Sequence, residues 1–380
     1  MITRLTIKNF KAHQETDLAL KNLTVLSGIN GVGKSSVLQA LLLLRQSHES
    51  NSLGEHLQLN KPHYEIGTAK DAICQFADDD VVSFALETDD KAKHEWRFAL
   101  KGNDYTTDHL PLVECPSASA NRSAFNIFGD GFQYLSALRG GRSDSNQVAV
   151  ETRKQLSLEK GQAELVARFL YYWGAEKRMK VFSDNIRHPL KPNDSDLLAQ
   201  TTAWEREISA GVNVIPVKTG EKSFEIKYSF NVDGDVTNEF SSDNVGFGLS
   251  YALPIIVAIL AAQKDSLILI ENPEAHLHPR GQAKLAELMA LAAQEGVQII
   301  LETHSDHIVN GILVACKKFE EGKRGIDRNL VAIHHFVRSE DGRCAETHQI
   351  NILEDGKIDS QPPDFFEQIE NDLRYLVIGK

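Results

Sequence analysis

The chain predicts an α/β fold: a mostly parallel core sheet, an antiparallel β lobe near the N-terminus, an inserted α+β region and no long coiled coil. Three observations carry this. The apolar runs in "KNLTVLSG", "SLILIENPE" and "VQIILETHS" lack a polar face, as strands covered on both sides do. Segments of helical length alternate with them: "SSVLQALLLLRQS", "GLSYALPIIVAILAA" and "GQAKLAELMALAAQE". Between the two ends, "DVVSFALET" and "HEWRFALKG" flank a polar "DDKAK", which reads as an antiparallel pair.

In chain order, "ITRLTI" alternates like a strand, and "KNLTVLSG" is a second strand leading through a glycine-rich turn into the first helix. After the antiparallel pair, a looser "CPSASANRSAFNIFGDG" leads to "FQYLSALRGGRSD". Helix dominates from Gln155 to Ser209, with "QAELVARFLYYW" and "DLLAQTTAWEREISA" carrying apolar residues at three and four spacing. The strands "NVIPVKT", "SFEIKYSF" and "TNEFSS" follow, before the alternating C-terminal half. No heptad run or internal repeat is present, which removes a long coiled-coil arm.

Composition narrows the class of protein. With 380 residues and 42% hydrophobic content the chain can bury a sizeable core. The apolar stretch "YALPIIVAILAA" is too short to cross a bilayer and reads as a buried helix. The N-terminus lacks a charged start followed by an apolar signal core, so a cytoplasmic protein without membrane contact is expected. Cys74, Cys115, Cys316 and Cys344 stand far apart without a CxxC pair, which suggests neither a zinc site nor a disulfide framework. A net charge of -12 disfavours a surface coated in basic residues. Two local basic stretches remain, "KKFEEGKRGIDR" at 317–328, which reads as a solvated face, and the short "RGGR" at 139–142.

The glycine-rich turn carries the chemistry. Gly28, Gly33, Lys34 and Ser35 fit G-x-x-x-x-G-K-S, with a strand before and a helix after, as a Walker A loop requires. Asn30, Gly31 and Ser36 complete the cradle, in which backbone N–H groups and the helix N-terminus face phosphate oxygens. Lys34 would neutralise the β and γ phosphates of ATP, and Ser35 would hold Mg²⁺ by its hydroxyl. The partner acid belongs at the end of a buried strand, where "SLILIE" supplies Glu271 as a second metal-binding candidate. "QIILETHSD" ends another buried strand with His304, placed to hydrogen-bond the γ-phosphate or the attacking water.

Together, "LTIKNFKAH", "LSGINGVGKSS", "NVGFGLSYALPII", "LIENPEAHLHPRGQAKLAEL" and "LETHSDHIVN" resemble the ABC-type ATPases related to RecF, SMC and Rad50, and more narrowly the AAA_15/OLD-like group. The tail "ILEDGKIDSQPPDFFEQIENDL" is similar to the DUF3696 branch, and "YLSALRGGRSD" is a weaker motif of the same kind. The resemblance implies an ABC-type head that closes as a homodimer around two ATP–Mg²⁺. It implies that Asn244, Gly246, Phe247, Gly248 and Ser250 form a signature segment meeting the nucleotide of the other subunit. It also implies that Lys11 reaches the nucleotide, and that a Q-loop glutamine, Gln75 or its rival Gln46, approaches the metal. The chain then divides into an N-terminal ATPase lobe with Walker A (1–115), an inserted helical and β region (116–240) and a C-terminal ATPase lobe (241–380) with signature, Walker B strand, His switch and DUF3696-like tail.

One departure bears on turnover. Relatives with robust hydrolysis carry Asp-Glu at the end of the Walker B strand, whereas this chain has Glu271 and Asn272, then Pro273 and Glu274. An amide orients water but cannot accept its proton, so hydrolysis is expected to be slow unless Glu274 takes over; the alternative pairs Glu274 with Arg280. His276 and His278 lack a third metal ligand nearby and read as interface or structural residues.

Three functions compete: an ATP-gated switch in a bacterial nucleic-acid-related system such as phage defence or DNA repair, a nucleotide-bound sensor with little turnover, and a transporter ATPase subunit. The degenerate signature and the roughly 200 residues between Ser35 and Asn244 count against the transporter. No Toprim-like acidic cluster follows in the roughly 75 residues past His304, so a separate effector protein is expected beside double-stranded DNA or another nucleic acid.

Overall fold

The computed structural model describes residues 1–102, 104–115, 125–139, 154–362, 365 and 368–378. Strands β1 (Ile2–Phe10) and β2 (His13–Ala19) precede β3 (Leu23–Gly28), the glycine loop and helix α1 (Lys34–Glu49). Then come β4 (His56–Gln58), the single turn α2 (Ala69–Ala72), β5 (Val81–Thr88), β6 (Lys93–Ala99), β7 (His109–Glu114) and β8 (Phe132–Leu135). The middle holds α3 (Val166–Phe169), α4 (Leu197–Ile208), β9 (Val212–Lys218), β10 (Phe224–Val232), β11 (Asp235–Val236) and β12 (Phe240–Ser241). The C-terminal part alternates α5 (Phe247–Ala261), β13 (Leu267–Glu271), α6 (Pro279–Gln294), β14 (Gln298–Glu302) and α7 (Asp306–Glu320). It ends with the hairpin β15 (Val331–Arg338) and β16 (Ala345–Ile350), then α8 (Gln368–Ile378).

The expected parallel sheet is present, in the order β16-β15-β3-β14-β13-β8, with β16 its antiparallel edge. The uniformly apolar strands are explained by its two covered faces. Ile268, Ile270, Ile299, Leu301, Leu23 and Val25 enter the core under α5, α6 and α7, while the alternate residues Leu267, Leu269, Ile300 and Leu26 enter the core under α1. Register places Glu271 beside Glu302 and Glu302 beside Leu26, so the C-terminal ends of three strands meet at one edge.

The N-terminal lobe is an antiparallel sheet ordered β2-β1-β5-β6-β7-β4, in which the expected β5–β6 pair is joined from Val81↔Ala99 to Glu87↔Lys93. Two features of the middle differ from expectation. Strand β8 lies within 116–240, assigned by sequence to the inserted region, yet it pairs in parallel with β13 and belongs to the core sheet. The helix expected over "QAELVARFLYYW" begins only at Val166 and widens into π-helical turns over Leu170–Glu176, where Gly174 packs against Leu198 of α4. Among the described residues, no helix is long and apolar enough to cross a membrane.

Candidate nucleotide-binding site

Strand β3 delivers the chain to the loop at Gly28, and α1 takes it up at Lys34. Gly28 has φ 135°, and a Cβ there would lie 2.4 Å from the carbonyl oxygen of Phe336, so only glycine fits. Gly31 and Gly33 also have positive φ, which turns the loop, and Asn30 and Gly31 lie exposed at its tip. Lys34 is buried, and its Nζ donates to the carbonyls of Gly28 (2.9 Å) and Ile29 (2.6 Å). Ser35 Oγ donates to Glu302 Oε1 at 2.9 Å, which also stands 4.0 Å from Lys34 Nζ. Ser36 is buried and its N–H donates to the Gly33 carbonyl.

His13 holds the loop from below. Its Nε2 lies 2.9 Å from the Gly33 carbonyl, which can only accept, so Nε2 carries the proton and Nδ1 accepts from Thr16 Oγ1 at 2.8 Å. Burial, assisted by the nearby Lys11 charge, pushes the His13 pKa down to about 4. An unfolded chain takes up this proton near pH 6.5, whereas the folded one resists until about pH 4. Stability is therefore full above pH 6.5 and lost as pH falls toward 4, at ~1.4 kcal/mol per pH unit. Between pH 7.5 and 5.0, urea unfolding is expected to show the wild type losing about 2 kcal/mol more than His13→Gln. Equal losses would refute this.

The acids sort themselves by partner. Glu271, at the end of β13, accepts from Tyr134 Oη (2.9 Å) and from the Ala137 N–H (3.2 Å). Glu302, at the end of β14, is almost wholly buried; burial and the neighbouring Glu271 and Glu274 raise its pKa, while Ser35 and Lys34 lower it. Glu274 accepts from Thr303 Oγ1 and from the His304 N–H, both at 2.8 Å. His304 is exposed and its ring donates to the Gly28 carbonyl; burial of part of the ring and the Lys34 charge lower its pKa. Asn272 takes φ 43°, donates its N–H to the Glu302 carbonyl, and keeps a buried Oδ1 without a hydrogen bond.

The structure thus brings Lys34, Ser35, Glu271, Glu274 and His304 to one strand edge, and corrects several details. The hydroxyl of Ser35 meets Glu302 rather than Glu271. Glu274 does not pair with Arg280, which instead reaches Glu207 at 3.5 Å. Gln75 is exposed and makes no hydrogen bond to Ser35 or Glu271, because the chain leaves the β1 edge into a surface turn after Cys74; nothing here supports it as a metal ligand. Gln46 is also committed elsewhere, to Gln58 and Tyr64. Lys11 lies on the flank of α1, bonded to Gln39 Oε1 at 2.8 Å.

In the signature segment, Gly246 caps α5 in open space and Phe247 is 72% exposed. A Cβ on Gly248 would stand 3.0 Å from the His276 carbonyl, so glycine lets the two loops close together. Ser250 departs from expectation: its hydroxyl is buried beside Tyr228 of β10. His278 caps α6 through its ring, and His276 packs edge-on against Tyr251 with ring centroids 4.5 Å apart. Among the described residues no cluster of three or more His, Cys, Asp or Glu side chains could hold a metal. A P-loop magnesium needs only a hydroxyl and an acid from the protein, and Ser35 with Glu302 or Glu271 fits that requirement.

Sequence reasoning missed Glu302, Tyr134, His13 and Arg139. The fully buried Arg139 donates to the carbonyls of Ser136, Tyr251, Glu271 and Asn272, so the "RGGR" stretch begins as an internal clasp; 140–142 lie outside the described residues. Glu302 had a signal, since "QIILE" ends in an acid as "LILIE" does.

A family model described as "AAA domain, putative AbiEii toxin, Type IV TA system" matches residues 23–310, from the start of β3 into α7. The chain belongs to this AAA_21 family. A second model, DUF3696, matches residues 326–376 of this AAA_21 chain, as the tail motif suggested. The chain is 25% identical to a protein of Thermus scotoductus named OLD nuclease, over 95% of this chain and 69% of that protein. Among solved structures, an SMC head bound to the C-winged helix domain of ScpA is 12% identical with a TM-score of 0.53, covering 93% of this chain and 98% of that one. An Smc head with an extended coiled coil, bound to the C-terminal domain of ScpA derived from Pyrococcus furiosus, is 13% identical with a TM-score of 0.51, covering 99% of both. At these identities the likeness establishes the fold alone, a mixed α/β fold similar to that of SMC heads.

Proposed function

We propose that this AAA_21 protein binds ATP with Mg²⁺, hydrolyses it slowly, and closes as a homodimer that switches a separate effector in a nucleic-acid-related system such as phage defence or DNA repair. The observation that carries the reading is the convergence of Lys34, Ser35, Glu271, Glu274, Glu302 and His304 on the strand edge beside the glycine loop. A magnesium ion bound there supplies charge neutralisation for the phosphates. Lys34 binds phosphate oxygens, Ser35 and an acid hold the ion, and His304 meets the loop at the Gly28 carbonyl. Glu274, fixed by Thr303 and the His304 N–H, is the acid available to orient water and take its proton. Asn272 cannot take that proton, which favours slow turnover and keeps a sensor role as the second reading. The nucleic-acid assignment draws on the similarity to the OLD nuclease.

Dimer closure draws on the exposed Gly246–Phe247 end of α5, which makes no hydrogen bond to residues 28–36 of its own chain among the described residues. Sedimentation is the direct test. With ATP and Mg²⁺ the wild type is expected to move from monomer to dimer, and Phe247→Asp to remain a monomer at the same concentration. A wild type that stays monomeric at saturating nucleotide would overturn the clamp.

A further inference from the structure

We infer that Glu302, not the Walker B residue Glu271, is the carboxylate that faces the metal ion accompanying the nucleotide. The inference rests on the ATP reading above and deepens it. Each oxygen of Glu271 already has a donor on the β8 side, Tyr134 Oη for one and the Ala137 N–H for the other. Those bonds draw its carboxylate toward β8. Glu302 is placed differently. Its Oε1 accepts the Ser35 hydroxyl, the group a P-loop offers to magnesium, and stands 4.0 Å from the Lys34 ammonium.

Its Oε2 is buried, has no hydrogen-bond partner, and belongs to a residue only 6% exposed. A buried carboxylate oxygen without a partner is costly, and the Glu271 and Glu274 charges nearby add to the cost. A divalent cation beside Ser35 relieves both, and magnesium takes one or two carboxylates with phosphate oxygens and waters. The β14 end lies directly between β3, which carries the loop, and β13, so Glu302 is one strand nearer to Ser35 than Glu271 is. Its hydroxyl can accept the ion with a lone pair while still donating its proton to Glu302.

Mn²⁺ is the probe, added to the full chain with a non-hydrolysable ATP analogue and followed by electron paramagnetic resonance. Glu302→Gln, which keeps the shape and an acceptor for Ser35, is expected to weaken Mn²⁺ binding at least tenfold, with analogue affinity in EDTA within threefold of wild type. Glu271→Gln is expected to change Mn²⁺ binding less than threefold. The reverse pattern, a tenfold loss in Glu271→Gln with Glu302→Gln unchanged, overturns the inference. Should Glu302→Gln fail to give a cooperative melt, Glu302→Asp decides: a several-fold weaker Mn²⁺ complex supports the assignment, and wild-type affinity overturns it. A wild type that binds no analogue would instead sink the ATP reading, and the inference with it, so the two failures are distinguishable.

Discussion

Lys34→Ala is expected to weaken ATP binding by roughly 100-fold and to remove detectable hydrolysis, while the fold persists. The ammonium is buried and bonded to the carbonyls of Gly28 and Ile29. Burial lowers its pKa, whereas Glu302 and Glu274 hold it up. Those carbonyl bonds hold the side chain within the glycine loop, so little ordering entropy opposes binding. A hydrogen bond to a charged group contributes about 1.5–3 kcal/mol net, and two such contacts to phosphate give at least ~3 kcal/mol, roughly 100-fold. Lys34→Arg should rescue little, because a planar fork does not fit a space shaped around a compact ammonium. Titration of a fluorescent ATP analogue, with a thermal melt of each variant, measures both parts. Affinity within threefold of wild type in a folded Lys34→Ala protein would remove Lys34 from the site.

Why Lys34 was readable from sequence and Glu302 was not has a physical answer. The loop is a local device: its turn, its lysine and its helix are contiguous, and positive φ at Gly28, Gly31 and Gly33 requires the glycines that announce it. The buried parallel strands were legible for a similar reason, since two covered faces leave an unbroken apolar run. Roles set by pairing between distant segments left no such mark. Strand β8 is four residues long and, among the described residues, joins the sheet only through β13, more than a hundred residues away. Its Tyr134 and the Ala137 N–H hold the Glu271 carboxylate on the β8 side, and the Ser35 hydroxyl meets Glu302 instead. Strand β15 escaped because its core carries His334 and His335; both are buried, with His334 bonded to the Ala19 carbonyl and His335 beside Ser27. Composition marks histidine as polar, and only the acceptors contributed by β2 and β3 make it a core residue.

The largest stability effect is expected at Arg139. A positive charge with no exposed surface should be costly, and burial does push its pKa down to about 10, although Glu274 and Glu271 lie near enough to hold it up. What keeps it charged and inside is a set of carbonyls from its own turn and two distant segments. Nη1 serves Ser136 after β8 and Glu271 at the end of β13, Nη2 serves Asn272, and Nε serves Tyr251 in α5. Asn272 sits at φ 43°, where the strand ends in a turn, and its carbonyl accepts both the Ala275 N–H and Arg139 Nη2. Arg139→Ala removes the guanidinium bonds to all four carbonyls, of which Ser136 and Asn272 keep a backbone donor, and leaves a cavity; the combined loss is expected at about 3–5 kcal/mol. Arg139→Lys keeps the charge but cannot reach in three directions from one nitrogen, so about half of that loss should remain. Arg328→Ala is the matched control: its partner Glu320 lies at the surface, and such a pair contributes under about 1 kcal/mol. Urea unfolding of the three variants separates the cases. If Arg139→Ala costs no more than Arg328→Ala, the clasp does not hold the strand ends, and the position of Glu271 must be set by Tyr134 and Ala137 alone.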